Sequence, residues 1–369
     1  MVATVVEDAV SYLLDQQGPD SLWADFDTLA GESDEWVTAY VAASLASVDD
    51  PAATDASRAA WRRLVRHRFW RAGWGYTRGV PCDADSTAWA LRLADRVEPA
   101  ARLSRWRASR YLRKHQRDDG GIATYRLSRP IRRFTGLSRD VSFDGWCHSH
   151  PSVTAATLHY LDEPQRDAAI QYLRETQADA GCWPSYWWTD PAYTTALAAT
   201  ALERHGDRDD ETRIAAAVEW ATDQIDEDGR VVPAVVQSGS PFATACCLRT
   251  LRLRGVSRHQ PAGITDGGAA SQQGRDCGAD VRISTERDEA AADRAIEWLH
   301  RTQRFDGSWD TAASLQIPPP DVVDPETYDD WTIDGRGGGS VVFDQHRTFT
   351  TATVLSALCP AIRGSTREP

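Results

Sequence analysis

The sequence predicts an all-α fold, specifically an α6/α6 toroid: a double ring built from six helix-pair repeats. Three observations predict it. The dipeptide Thr-Ala opens an apolar, nearly charge-free stretch at Thr38, Thr87, Thr154, Thr195, Thr244 and Thr351. Seven residues later comes Leu in five copies (Leu45, Leu161, Leu202, Leu251, Leu358) and Ala94 in the other. Between these stretches lie segments that alternate apolar and charged residues at helical spacing, as an amphipathic surface helix does. Several end in a Gln followed by a Gly and Trp turn, as in Gln303-Arg304-Phe305-Asp306-Gly307-Ser308-Trp309.

Taken in order, the first outer helix carries Tyr12-Leu13 and Gln17, and its inner partner runs from Thr38 to Leu45. The second outer helix offers only Trp61 and Trp70, before Gly73-Trp74-Gly75 and the inner helix from Thr87. Tyr111-Leu112 with Gln116 mark the third outer helix; a long excursion over 120–150 precedes its inner partner at Thr154. Tyr172-Leu173, Gln177 and Gly181-Cys182-Trp183 lead to the fourth inner helix at Thr195. The looser Trp220-Ala221 precedes the fifth at Thr244. Residues 256–285, rich in Gly, Ala, Ser, Gln and Asp, read as a surface insertion with little order, and 361–369 as a disordered tail. Trp298-Leu299 with Gln303, then a second excursion over 310–346, complete the sixth pair at Thr351. Small residues along the inner helices let neighbouring backbones approach. Closing the ring hides the ends that an open solenoid would have to cap. The whole chain, 1–369, is therefore read as one barrel domain. Loops as long as the two excursions are usually functional or disordered, and their Trp, Tyr and His content suggests a lid.

Composition narrows the function classes. The net charge of −13 argues against nucleic acid as a partner. Seven scattered Cys without a CxxC pair do not form a disulfide framework, which reads as a reducing, cytoplasmic setting. Mean hydropathy is −0.48 and no 18-residue apolar run exists, so no transmembrane helix is expected. No signal peptide is visible either.

With the repeats laid out, the chain resembles the prenyltransferase and squalene-cyclase repeat family. The Gln-to-Trp turn at 303–309 is similar to the Gln-Trp motif of triterpene cyclases. The most specific match is Asp83-Ala84-Asp85-Ser86-Thr87-Ala88, which resembles the Asp-x-Asp-Asp-Thr-Ala motif of squalene–hopene and class II diterpene cyclases. The resemblance implies an isomerase that protonates a polyprenyl chain and so starts a carbocation cascade. It implies Asp85 as proton donor and Asp83 as the first motif carboxylate, with Ser86 where the family has a third Asp. The larger cyclases of this family place their cavity between two barrels. This chain carries one, so its pocket must close with its own loops, a partner chain or a membrane surface.

The register of the repeat supplies a separate reading. Two residues before each Thr-Ala stand Trp36, Asp85, Ser152, Tyr193, Phe242 and Phe349, so one acid sits among aromatics at the mouth of the ring. Apolar surroundings raise a carboxyl's pKa, and a neutral carboxylic acid can act as a general acid. Aromatic faces stabilise a migrating cation by ~1–2 kcal/mol each when desolvated. Asp is also a preferred N-cap, which gives Asp83, and Asp34 aligned with it, an alternative structural role. Tyr186, Trp187 and Trp188 are three consecutive aromatics that no single helix or strand face can bury, so some of them should line a cavity.

The remaining substrate-contact candidates are Trp74, Tyr76, Trp146, His148, His150 and His346. Trp23, Trp74, Trp183 and Trp309 also suit a role as wedges between repeats. Arg126, Arg129, Arg132, Arg133 and Arg139 form a basic cluster, of which Arg129, Arg132 and Arg133 are candidates to hold a diphosphate. Magnesium is expected only if the substrate is a diphosphate, and no cofactor is otherwise assigned. Asp144, Cys147 and His346 imitate loosely the zinc ligands of protein prenyltransferase β-subunits, but the spacing does not match, and no metal ligands are assigned. The expected partner is an isoprenoid small molecule, with a second chain or a peripheral membrane contact closing the pocket. The alternatives to a cyclase are a non-catalytic isoprenoid-binding scaffold and a prenyltransferase β-subunit-like protein.

Overall fold

A computed structural model describes residues 2–68, 71–100, 102–253 and 276–359. The hydroxyls of the repeated threonines are what register the fold. Each accepts a hydrogen bond from the backbone N–H of the residue that enters the same repeat: Trp23 to Thr38, Trp74 to Thr87, Ile122 to Thr154, Trp183 to Thr195, Val231 to Thr244 and Trp309 to Thr351. The four Trp in this series then donate their indole N–H to a Leu carbonyl ten residues earlier, at Leu13, Leu64, Leu173 and Leu299. One side-chain pair thus joins the end of an outer helix, the turn, and the start of an inner helix. Trp74 is spent on this role: it is fully buried and does not line the cavity described below.

The described residues form fourteen α-helices: α1 (Val2–Asp15), α2 (Glu35–Leu45), α3 (Pro51–Arg68), α4 (Ala84–Val97), α5 (Arg102–Leu112), α6 (Ser128–Thr135), α7 (Asp144–Cys147), α8 (Pro151–Thr157), α9 (Glu163–Glu175), α10 (Ala192–His205), α11 (Glu211–Gln224), α12 (Pro241–Leu251), α13 (Asp276–Thr302) and α14 (Thr348–Leu358). Each inner helix packs on the next in the order α2, α4, α8, α10, α12 and α14, and α14 returns to α2. The ring is therefore closed. Helices α1, α3, α5, α9, α11 and α13 pack outside it.

The outer-helix glutamines stitch neighbouring repeats. Gln17, Gln116 and Gln177 each donate to a carbonyl in their own turn and to one on the next outer helix, at Ala56, Gln165 and Arg213. Gln303 does the same to Gly307 and, across the seam, to Val5 of α1. Gly307 at φ +85° lies so close to α1 that a Cβ would sit 2.2 Å from the Asp8 carbonyl oxygen. No helix of the described residues is long and apolar enough to cross a membrane.

Of the predicted insertion 256–285, residues up to 275 lie outside the described residues, as does the tail 361–369. Residues 276–285 belong instead to the backbone of α13, whose amphipathic second half continues them in one hydrogen-bonded ladder. Five short strands interrupt the helices. β1 (Asp25–Thr28) and β2 (Gly31–Ser33) form a hairpin. β3 (Ser314–Ile317), β4 (Thr332–Ile333) and β5 (Ser340–Phe343) form a sheet in the order β3-β5-β4, with β3 and β5 antiparallel. This sheet is the ordered part of the second excursion, and α6 and α7 are the ordered part of the first.

Candidate active site

Both excursions fold over the N-terminal ends of the inner helices and enclose a cavity of about 520 Å³. That volume lies within the ~300–1,000 Å³ usual for small-molecule sites. Its floor holds Asp83, Asp85 and Ser86 from the start of α4, Trp36 from α2 and Ser152 from α8. Its walls are Tyr76, Thr124, Tyr125, Trp187 and Trp188, together with Ile131, Phe134, Leu137 and Trp146 of the first excursion. Leu315, Ile317, Pro319 and Pro320 of the second excursion close the far side.

The two acids differ in what holds them. Asp83 caps α4: one carboxyl oxygen accepts from the Ser86 N–H at 2.7 Å, the other from the Ser86 hydroxyl at 2.8 Å. Asp85, two residues on, projects into the cavity. Burial pushes both carboxyls up to about 7. For Asp83 the Ser86 bonds oppose that rise while the charge of Asp85 adds to it. For Asp85 the Arg92 guanidinium and the Trp36 indole oppose it. Asp34, at the position equivalent to Asp83, makes no side-chain capping bond, so the expected cap is absent there.

Eight of the predicted residues converge on the cavity: Asp83, Asp85, Ser86, Trp36, Tyr76, Trp146, Trp187 and Trp188. A second layer supports them. Phe242 stacks on Trp188 at 4.9 Å, Tyr193 lies 4.6 Å from it, and Phe349 lies 4.9 Å from Trp36 and 3.9 Å from Tyr40. These three rings back the wall rather than line it. Tyr186 also turns away, donating its hydroxyl to the Val322 carbonyl, and stacks on His150 at 4.0 Å. His150 is buried behind Thr124.

Other assignments are corrected. Trp74 is a wedge between repeats. His148 is exposed and bonds the Ser149 carbonyl. His346 pairs with Glu32 on the surface at 2.8 Å. Arg129 and Arg133 are exposed, and Arg132 lies over the Phe143 ring at 4.6 Å, bonding the Ser138 carbonyl. The reason is the amphipathicity of α6: Ile131, Phe134 and Thr135 face the cavity, which turns the arginines outward. Asp144, Cys147 and His346 do not come together, and the described residues contain no group of three His, Cys, Asp or Glu placed to hold a metal.

Three features of the site escape the sequence reading. Arg336 is the one cationic side chain among the described cavity-lining residues; it stands at the mouth beside Gly337 and Gly338 and pairs with Asp27. Thr124 lines the wall in front of His150. Leu29, 81% exposed, forms an apolar rim with Phe134 and Leu137. Nothing in the repeat register points to them.

Residues 151–235 match the squalene-hopene cyclase C-terminal domain family. A variant of the type II terpene cyclase MstE from Scytonema, in complex with its substrate geranylgeranyl dihydroxybenzoate, is 34% identical. The match covers 97% of this chain and 96% of that one, with a TM-score of 0.85. Another MstE variant, in complex with the product merosterolic acid A, is also 34% identical over 97% of this chain and 96% of that chain, at a TM-score of 0.84. A protein from Actinoplanes is 36% identical over 97% of this chain and 98% of its own, at a TM-score of 0.83. None of the curated protein sequences matches significantly.

Proposed function

This chain belongs to the type II terpene cyclases, enzymes that start the cyclisation of a polyprenyl substrate by protonation, and we propose that Asp85 is its acid. The observation that carries the assignment is the contrast between the two carboxyls. Both carboxyls line the cavity with their acidity weakened to about 7, but both oxygens of Asp83 are occupied by Ser86, whereas the carboxyl of Asp85 is left to the aromatic cavity. Near neutral pH about half of such a group is the neutral acid, ready to donate. Its proton forms a C–H bond with the terminal alkene, leaving a tertiary cation that the next double bond attacks.

Asp83 and Ser86 act as positioning residues in this reading. They fix the first turn of α4 and with it the direction of Asp85, and the serine hydroxyl satisfies the carboxyl that a third motif acid would repel. Trp36, Tyr76, Trp187 and Trp188 present rings to the migrating charge, each worth ~1–2 kcal/mol when desolvated. The aliphatic lining keeps water from the cation.

Arg336 marks where the head group lies. One guanidinium, already shared with Asp27, suits a singly charged carboxylate better than a diphosphate. The substrate we propose is a polyprenyl chain on a carboxylated aromatic head, as in the substrate bound to the Scytonema enzyme. Magnesium enters this reading only as the companion of a diphosphate head group. The exposed rim of Leu29, Phe134 and Leu137 suits uptake of the chain from a membrane surface.

Incubation with geranylgeranyl dihydroxybenzoate, and with geranyl, farnesyl and geranylgeranyl diphosphates and squalene, tests the proposal by mass spectrometry of the products. An isomeric cyclic product that vanishes in Asp85→Asn supports it. A cyclic product that persists in the variant rules out Asp85 as the acid.

A further inference from the structure

A protonation-initiated cascade ends when the last cation captures water or loses a proton, and the second outcome requires a base at the cavity wall. Most hydroxyls of the wall donate to groups that cannot take a proton onward. Thr28 bonds the Gly31 carbonyl, Thr135 the Arg132 carbonyl and Tyr76 the Phe26 carbonyl; the exception is Ser86, which donates to the Asp83 carboxylate two residues from the initiating acid. Ser152 and Tyr125 make no side-chain hydrogen bond to a base among the described residues.

Thr124 differs. Its Oγ1 lies 2.9 Å from His150 Nδ1, and His150 Nε2 lies 3.0 Å from the Gly145 carbonyl oxygen. A carbonyl can only accept, so Nε2 carries the ring hydrogen and Nδ1 presents a lone pair to the Thr124 hydroxyl. Trp187 Nε1 donates to the same Thr124 oxygen at 2.8 Å. The hydroxyl hydrogen is thereby directed at His150, and the oxygen keeps a lone pair for the cavity. The His150 ring is locked by stacking on Tyr186, and the Thr124 carbonyl accepts from the Ala84 N–H, which ties it to the acid's own helix.

We propose that Thr124, backed by His150, is the proton acceptor that ends the cyclisation. The inference rests on the cyclase reading above. The C–H bond next to the final cation breaks and its electron pair becomes the alkene. The proton goes to Thr124 Oγ1 as the threonine's own hydroxyl proton passes to His150 Nδ1. Burial pushes His150 down to about 3, so the resulting imidazolium is short-lived. It returns the proton through Thr124 to water admitted as the product leaves.

The test compares the products that the wild type, Thr124→Val, Thr124→Ser and His150→Phe make from geranylgeranyl dihydroxybenzoate. Valine keeps the shape of threonine without the hydroxyl, and phenylalanine keeps the stacking on Tyr186. The wild type is expected to release a cyclic alkene. Thr124→Val and His150→Phe should still consume substrate but divert roughly tenfold more of it to alcohols or isomeric alkenes, and Thr124→Ser should restore the original product. His150→Phe carries the test alone if Thr124→Val does not fold. An unchanged product in both variants, or a wild-type product that is an alcohol, would overturn the dyad while leaving the cyclase assignment intact. No cyclic product from the wild type would remove the cyclase reading first, and the dyad with it.

Discussion

Replacing Asp85 by Asn should abolish cyclisation and, above pH 7, make the protein more stable. Folding moves the Asp85 carboxyl from an ordinary 3.8 to about 7. At 1.36 kcal/mol per pH unit, about three units correspond to ~4 kcal/mol. The sign follows from the direction of the shift. A carboxyl raised in the folded state costs nothing below its unfolded value, where both states are protonated. The stability of the protonated form is lost as the pH rises through the folded value, and above it the full penalty of a charge in an apolar cavity applies. Asparagine is neutral throughout, so the variant escapes that penalty. Partial access of the cavity to water screens the charge, which makes ~4 kcal/mol a ceiling. Urea unfolding at pH 8 should show the variant more stable by about 2–4 kcal/mol, and at pH 4 the two proteins should be nearly equal. Equal stability at pH 8, or a less stable variant, would refute the claim that burial raises this acid, and with it the account of why it can donate a proton.

The same shift sets the pH dependence of the reaction: kcat should level off below pH 6 and fall about tenfold per unit above pH 7, and a profile flat from pH 6 to 9 would contradict it. Arg336→Ala should raise KM for a carboxylated substrate by roughly tenfold, the worth of one charge-assisted pair, with kcat changed far less; steady-state kinetics separates the two. Gly307→Ala places a Cβ 2.2 Å from the Asp8 carbonyl oxygen at φ +85°, and should cost ~2 kcal/mol or more at the ring seam, read by thermal unfolding. Leu29→Asp with Phe134→Asp should weaken cosedimentation with lipid vesicles several-fold; undiminished cosedimentation would detach the apolar rim from membrane contact.

The toroid was legible because its register is written in local chemistry. A threonine that must accept a turn N–H, a tryptophan that must reach back ten residues, and a glutamine that must bridge two outer helices each leave a residue type at a fixed spacing. Asp85 was legible for the same reason, since its place in the register exposes it as an acid among Trp36, Tyr193, Phe242 and Phe349. The register gives which end of a helix a residue occupies but not its depth. Trp36 therefore lines the cavity while Tyr193, Phe242 and Phe349 stand one layer behind it. Outside the repeat the sequence misled. The arginines of α6 looked like an anion site, yet the side of that helix facing the cavity is set by Ile131 and Phe134. Arg336, the cation that does reach the mouth, comes from an excursion with no periodicity to read.

The excursions also explain how one barrel encloses a cavity without a second. A loop folded over an apolar site must satisfy its backbone polar groups somewhere, and here the second excursion satisfies them against the first and against the turn that carries Tyr186 and Trp187. The Gly145 N–H bonds the Pro320 carbonyl, Trp146 Nε1 the Pro318 carbonyl, and the Tyr186 hydroxyl the Val322 carbonyl. Gln316 bonds the Trp187 carbonyl through its backbone and the Tyr186 carbonyl through its side chain. Gly145 permits this clasp, since a Cβ there would sit 2.0 Å from the Val322 oxygen. With those donors and carbonyls used between the segments, Trp146, Trp187, Trp188, Leu315 and Ile317 present apolar surface to the cavity. The clasp is thus the physical origin of an apolar wall, which raises Asp85 and, in the reaction proposed above, shelters the cation. In that proposed reaction the strength of the acid and the lifetime of the cation depend on the same five hydrogen bonds.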